Sequence, residues 1–197
     1  MNRKLILLFA ILLVLAILIA DKTLTLKEKV LPDGKMTQEQ LSPDKIDSLP
    51  SILDTRPQVE ISTSKGILLV ELRPDLSPKS VGYFLSQWNS GICDKLSFHR
   101  VEDWVVQGCD PNGNGTGGLN NLPTEVSSAS FTAGSIGVAR TPLSKDLSNN
   151  SQFFILKKDA TSLNREYTYL GKVLTGMDIV NQLQSGDQIL SISLLSK

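Results

Sequence analysis

Apolar positions along this chain follow three different patterns in turn. Residues 5–20 are sixteen consecutive apolar side chains behind Met1-Asn2-Arg3-Lys4. A helix over them, at ~1.5 Å per residue, measures about 24 Å, slightly short of a ~30 Å hydrocarbon core. Two readings fit: an uncleaved signal-anchor, or a cleaved signal peptide with a long apolar region. Cleavage after Ala20 would leave Leu18 where a small residue is preferred. Arg3 and Lys4 argue for an N-terminus inside, while Lys22, Lys27, Lys29 and Lys35 oppose it. A short basic leader before an apolar run is the export pattern. The expectation is therefore a domain anchored through residues 5–20 and facing the extracytoplasmic side, or a secreted one if the leader is removed.

Residues 21–57 carry no sustained apolar period, and Pro32, Gly34, Pro43, Pro50 and Pro57 punctuate mixed charges. They read as a flexible tether whose ~37 residues reach on the order of 30 to 35 Å. From residue 58 the pattern changes again. Residues 59–62 and 67–72 alternate or run apolar across Ser64-Lys65-Gly66, which predicts a hairpin. Ser77 and Pro78 then suit the N-cap and first position of a helix whose stripe is Val81, Phe84, Leu85 and Trp88, ended by Gly91. Short strands are expected over 96–100, 104–107, 134–139, 153–156 and 169–173, a second helix over 177–184, and a last strand over 189–195. Many short strands with glycine-rich turns and two isolated helices suggest a mainly β, closed antiparallel barrel with helices covering its ends.

Composition changes the picture mainly by exclusion. Twenty basic and twenty acidic side chains cancel, and no Lys/Arg cluster interleaves with aromatics, so nucleic acid is not an expected partner. One histidine excludes any site that needs two imidazoles. Cys93 and Cys109 lie too far apart for a CxxC redox or zinc motif. They read as two buried small hydrophobes, with a single disulfide as the alternative if the domain lies outside the cytoplasm.

The chemistry is concentrated in Phe98-His99-Arg100-Val101-Glu102-Asp103-Trp104-Val105-Val106-Gln107-Gly108-Cys109-Asp110-Pro111, then Gly113-Asn114-Gly115-Thr116-Gly117-Gly118, then Ser151-Gln152-Phe153-Phe154-Ile155. An arginine and a glutamine stand among β-prone apolar residues, and a second apolar strand adds another glutamine and two phenylalanines. Strand alternation lets only one of Phe153 and Phe154 face a pocket. The glycines formally match a dinucleotide fingerprint, but they follow Asp-Pro and no helical pattern succeeds them, so they read as a tight turn. His99 reads as a satisfied, buried structural imidazole.

The order and spacing of these motifs resemble the cyclophilin family of peptidyl-prolyl isomerases, over residues 58–197. The resemblance implies an eight-stranded barrel with two capping helices that binds proline-containing peptide on its outer face. It implies a catalytic role for Arg100, with Gln107, and pocket roles for Trp104, Val105, Ala139, Arg140, Gln152, Phe154, Leu163 and Tyr167. Departures are visible. The Arg100–Gln107 loop is one residue shorter than the common pattern, and residues 141–150 are about two longer. Tyr167 stands where many members have histidine, and Ser162 replaces a tryptophan associated with cyclosporin binding.

The implied chemistry is modest. Rotation about a peptide bond faces ~18–20 kcal/mol, because the nitrogen lone pair is delocalised into the carbonyl. A guanidinium bonded to the prolyl nitrogen or the neighbouring carbonyl favours the twisted amide, and its rigid five-donor fork suits that task. No cofactor, metal or nucleophile is called for, and a monomer suffices. Two other readings stay open here. One is a catalytically weak proline-peptide binding or chaperone module on the same barrel. The other is a Cys-His hydrolase using His99 with Cys93 or Cys109, for which no nucleophile setting is recognisable.

Overall fold

The computed structural model describes residues 56–141 and 145–195. The apolar segment 5–20 and nearly all of the expected tether lie outside the described residues. Its last two residues are described: Pro57 is buried, and its carbonyl accepts the Leu72 N–H at 2.8 Å. No helix among the described residues is long and apolar enough to cross a membrane.

Among the described residues, ten strands and two α-helices follow in chain order. They are β1 (Gln58–Thr63), β2 (Gly66–Leu72), α1 (Pro78–Asn89), β3 (Arg100–Val101), β4 (Val105–Gly108), β5 (Asn120–Pro123), β6 (Ser135–Val138), β7 (Leu147–Asn149), β8 (Phe153–Leu156), β9 (Tyr169–Thr175), α2 (Met177–Gln182) and β10 (Ile189–Leu194). Eight strands form one antiparallel sheet in the order β10-β1-β2-β9-β6-β8-β4-β3. The expected closed barrel is thus a curled sheet whose ladder stops at β10 and β3. Between those edges runs only the isolated bridge Ser97↔Gln188 and a few backbone bonds, such as Phe98 N–H to the Asp187 carbonyl at 2.8 Å. Strand β3 is correspondingly two residues long instead of covering 96–100.

Strands β5 and β7, which the apolar pattern did not predict, pair as a separate two-stranded sheet. Asn120-Asn121-Leu122-Pro123 and Leu147-Ser148-Asn149 hold too few apolar residues to show a period of two.

Period two decides which side chains meet. Val106, Ile136, Val138, Phe153 and Ile155 point into the main core with the α1 residues Val81, Phe84 and Trp88. Trp88 stands edge-on to both Phe84 and Phe153, at 5.4 Å between ring centroids in each case. Such pairs add about 0.5–1.5 kcal/mol beyond their buried area. The alternate residues Val105, Phe154 and Leu156 join Phe131 and Tyr169 in a second apolar cluster on the opposite face.

Helix α1 begins at Pro78 as expected, but Ser77 does not cap it with its side chain. The Ser77 hydroxyl donates instead to the Tyr169 carbonyl at 2.6 Å. The orphan N–H groups of Lys79 and Ser80 are taken by the Glu125 carboxylate at 3.2 and 2.7 Å. A charged acceptor brought in by the fold thus satisfies what a local hydroxyl was expected to satisfy. Helix α2 stops at Gln182, two residues early, because Leu183 is extended.

The cysteines are a correction as well. Cys93 and Cys109 are buried, 1% and 0% exposed, and joined by a disulfide with Cα atoms 4.9 Å apart, within the normal range for such a bridge. It ties the turn after α1 to the residue that follows β4.

Candidate active site

The register of four strand pairings lines up one transverse row. Arg100 on β3 opposes Gln107 on β4, Gln107 opposes Phe154 on β8, Phe154 opposes Gly137 on β6, and Gly137 opposes Tyr169 on β9. Opposed residues share a face of the sheet, so Arg100, Gln107 and Phe154 stand side by side. Gly137 makes the row possible, because a Cβ there would collide with the Phe154 ring tip and stand 2.9 Å from Phe131. With that space open, the Phe154 ring packs between Phe131 (centroids 5.9 Å apart) and Tyr167 (5.7 Å, interplanar angle 85°).

A cleft of about 60 Å³ forms over this row, lined by Arg100, Trp104, Val105, Gln107, Ala139, Arg140, Phe154, Leu163 and Tyr167. Nine of the ten residues singled out from the sequence therefore line one cleft. The tenth, Gln152, is 2% exposed and lines an adjoining cleft of about 330 Å³ together with Thr116, Asn120 and Asn149. Ser162 is exposed on the 3-10 turn Thr161–Leu163 and lines neither cleft.

The polar side of the cleft is a chain of hydrogen bonds. Arg100 donates from Nη1 to Gln107 Oε1 at 3.3 Å, and Gln107 donates from Nε2 to Gln152 Oε1 at 2.8 Å. Gln152 in turn donates to the Gly117 carbonyl at 2.7 Å and the Gly115 carbonyl at 3.3 Å. The glycine-rich loop is held in place by Asp110, whose carboxylate accepts the N–H groups of Asn112, Asn114 and Gly115. Burial alone would raise the Asp110 pKa. Those three N–H bonds and nearby His99 outweigh it and hold the carboxyl below the ordinary carboxylate range.

Each aromatic side wall carries a guanidinium and a carboxylate. Arg100 lies 5.5 Å from the Trp104 ring centroid and donates from Nε to Glu102 at 2.7 Å. Arg140 lies 4.3 Å over the Tyr167 ring and donates from Nε to the Glu166 carbonyl and from Nη2 to its carboxylate. Lys145 also reaches the Glu166 carboxylate, at 2.9 Å. The hydrogen bond from Arg100, then that from Trp104, holds Glu102 below the usual glutamate range; Lys145 does the same for Glu166. Glu102, Glu166 and Asn149 were not singled out from the sequence. Glu102 was findable, because it lies only two residues from Arg100, directly after β3. Glu166 adjoins Tyr167 and Asn149 stands three residues before Gln152, but the partners that fix them, Arg140, Lys145 and the Gly117 carbonyl, are distant along the chain.

His99 is not the satisfied imidazole expected. Both ring nitrogens are shielded from solvent and neither has a hydrogen-bond partner among the described residues. Desolvation lowers its pKa, Arg100 adds to that, and Asp110 opposes it. With both cysteines in the disulfide, no thiol stands ready to pair with His99, which removes the Cys-His hydrolase reading. Among the described residues no cluster of His, Cys, Asp and Glu could hold a metal ion.

Residues 58–192 match the family model of cyclophilin type peptidyl-prolyl cis-trans isomerases. A probable peptidyl-prolyl cis-trans isomerase of Brucella suis is 36% identical over 152 residues, covering 70% of this chain and 76% of the relative. A peptidyl-prolyl cis-trans isomerase of Arabidopsis thaliana is 34% identical over 134 residues, covering 66% and 81%. The crystal structure of a Cryptosporidium parvum cyclophilin type isomerase, solved in the presence of the dipeptide Ala-Pro, superposes with a TM-score of 0.65 at 28% identity. That match covers 71% of this chain and 99% of the other. The curled eight-stranded sheet with two helices is the cyclophilin fold, and the chain belongs to the cyclophilin family. It is a peptidyl-prolyl cis-trans isomerase.

Proposed function

We propose that Arg100 is the catalytic residue, acting on an Xaa-Pro bond whose pyrrolidine ring sits against Phe154, Val105 and Leu163. The observation that carries this reading is the transverse row, which sets a guanidinium and an amide beside a small apolar recess. The recess suits one small ring, and Trp104 and Tyr167 wall it. In the twisted amide the nitrogen lone pair is localised and accepts a hydrogen bond that the planar amide cannot. A guanidinium fixed at that position binds the twisted state in preference, and each ~1.4 kcal/mol of preference gives tenfold in rate. Gln107 holds the neighbouring peptide carbonyl, while Ala139, Arg140 and Gln152 border the path of the flanking residues. The Ala-Pro dipeptide present with the Cryptosporidium relative supports the same ligand chemistry here. The test is magnetisation exchange between cis and trans forms of an Ala-Pro peptide with catalytic amounts of protein. Exchange no faster than in buffer would remove the assignment.

The substrates are exported or unfolded polypeptides, reached by a monomeric domain tethered to the outer side of a membrane or secreted from it. The apolar run over 5–20 and the buried Cys93–Cys109 disulfide both support this, since structural disulfides persist in oxidising compartments. Fractionation should leave the full chain in a membrane pellet resistant to high salt, and protease added to intact cells should digest it. A mature N-terminus at Asp21 would replace the anchor with a cleaved signal peptide.

A further inference from the structure

We propose that Glu102 is a positioning residue for the isomerisation, fixing the Arg100 guanidinium and the Trp104 indole together at the mouth of the cleft. This rests on the assignment of Arg100 above. The local chain explains the placement. Strand β3 turns back into β4 through Asp103-Trp104, closed by Glu102 N–H to the Val105 carbonyl at 2.8 Å. Glu102 directly follows β3, two residues from Arg100, and its carboxylate reaches back to Arg100 and forward to Trp104, both of which line the cleft.

The two carboxylate oxygens are divided between two donors. Oε1 accepts Arg100 Nε–H at 2.7 Å and Oε2 accepts Trp104 Nε1–H at 2.8 Å. Both lengths fall in the range of charge-assisted bonds. Arg100 is thereby held along two edges, Nε by Glu102 and Nη1 by Gln107. Of the five guanidinium hydrogens these bonds use two, which leaves three for a substrate.

The side chain needs such holding. Arg100 is 43% exposed and stands on a strand of two residues. Unrestrained, a long flexible arginine would lose its rotamer freedom each time the twisted amide formed. Glu102 places that ordering in the free protein. The same carboxylate stops the half-buried Trp104 indole from swinging away from the guanidinium it faces.

An exposed ion pair contributes little to folding, so the proposed role and a merely structural one differ in what they move. The experiment measures kcat and KM on an Ala-Pro peptide, and Tm, for full-length wild type, Glu102→Ala, Glu102→Gln, Arg100→Ala and the Glu102→Ala/Arg100→Ala pair. Glu102→Ala is expected to lower kcat/KM roughly three- to tenfold, with the loss in kcat and Tm held within a few degrees. Glu102→Gln keeps an acceptor for Arg100 and loses the one for Trp104, so it should recover part of the rate. In the Arg100→Ala background the Glu102 substitution should cost nothing further. A Glu102→Ala protein as fast as wild type or faster, beside an impaired Arg100→Ala, would overturn this inference alone. So would the same fold-loss persisting in the Arg100→Ala background. A wild-type rate in Arg100→Ala would bring down the site assignment, and this inference with it.

Discussion

Gln107 donates a hydrogen bond to Gln152 at 2.8 Å, and each amide has its other end engaged as well. Gln107 accepts from Arg100, and Gln152 donates to the Gly115 and Gly117 carbonyls. The amide orientations of both glutamines are fixed by this order, since a flip of either would set donor against donor or acceptor against acceptor. The relay connects the guanidinium to the glycine-rich loop after β4, which Asp110 anchors. Gln152→Leu should therefore lower kcat/KM on an Xaa-Pro peptide by roughly three- to tenfold, although residue 152 lines only the neighbouring cleft. A rate within twofold of wild type would show that Gln107 is held without it.

Arg100→Ala should lower kcat/KM by one to three orders of magnitude, roughly 1.4 to 4 kcal/mol of transition-state binding. Arg100→Lys should also be impaired. An ammonium cannot bond Glu102 and Gln107 along two edges and still present a planar fork to the amide. Steady-state rates on well-folded variants check both, and an unimpaired Arg100→Ala protein would refute the role.

Gly137→Ala tests the packing beneath the cleft. The added methyl meets the Phe154 ring tip and Phe131, both in a well-packed cluster. Overpacking of this kind costs on the order of 1–3 kcal/mol. The ring that yields is the one facing the proposed proline pocket, so KM should rise together with the loss of Tm. An unchanged KM with a lowered Tm would mean that Phe131 moves instead.

What could be read from the sequence, and what could not, follows from the range of the interactions. Strands β1, β2 and β8 and helix α1 declare themselves by period, and Phe153 and Phe154 separate to opposite faces as alternation requires. Nine of the ten residues taken from the motif gather at one cleft: Arg100, Val105, Gln107 and Phe154 lie on the adjacent strands β3, β4 and β8, and the other five on the turns and loops that border them. Strands β5 and β7 were hidden because what fixes them is pairing and side-chain capping among asparagines and serines. Ser77 was the right residue at the right place, yet its hydroxyl found Tyr169 and a glutamate 45 residues beyond Ser80 capped the helix. The disulfide left no spacing motif, since its two cysteines are brought together only when the turn after α1 packs on β4. His99 carries no sequence sign that its ring nitrogens would go unpartnered.

Reducing the Cys93–Cys109 bridge, or replacing both cysteines with alanine, should destabilise the domain by about 3 kcal/mol in the chain-entropy account for a loop of this length, 16 residues. The expected readout is a lower urea midpoint in dithiothreitol. Because both sulfurs are buried, reduction of the native protein should be slow and should accelerate in mild denaturant. The isomerisation rate per folded molecule should change little, since neither cysteine lines the cleft. Fast reduction without denaturant would instead indicate an accessible, labile bond.

Acid should weaken the fold before it touches the catalyst. Glu102, Glu166 and Asp110 all titrate below their ordinary range, so their charges and the bonds they make persist well under pH 6. The His99 pKa is lowered from its ordinary value, chiefly by desolvation. The rate per folded molecule should thus be nearly flat between about pH 6 and 8. Stability behaves differently. An unfolded-chain histidine binds its proton near pH 6.5, whereas the folded protein resists protonation until lower pH. The unfolded state holds more protons in that window, so stability falls as pH falls through it. His99 is the only histidine, and unfolded carboxylates begin to take protons only below about pH 5. The urea midpoint should therefore drop from pH 7.5 to pH 5.5, and the drop should shrink in His99→Gln. An equal drop in that variant would place the sensitive group elsewhere, and a midpoint that rises towards acid would reverse the sign assigned to the half-buried imidazole.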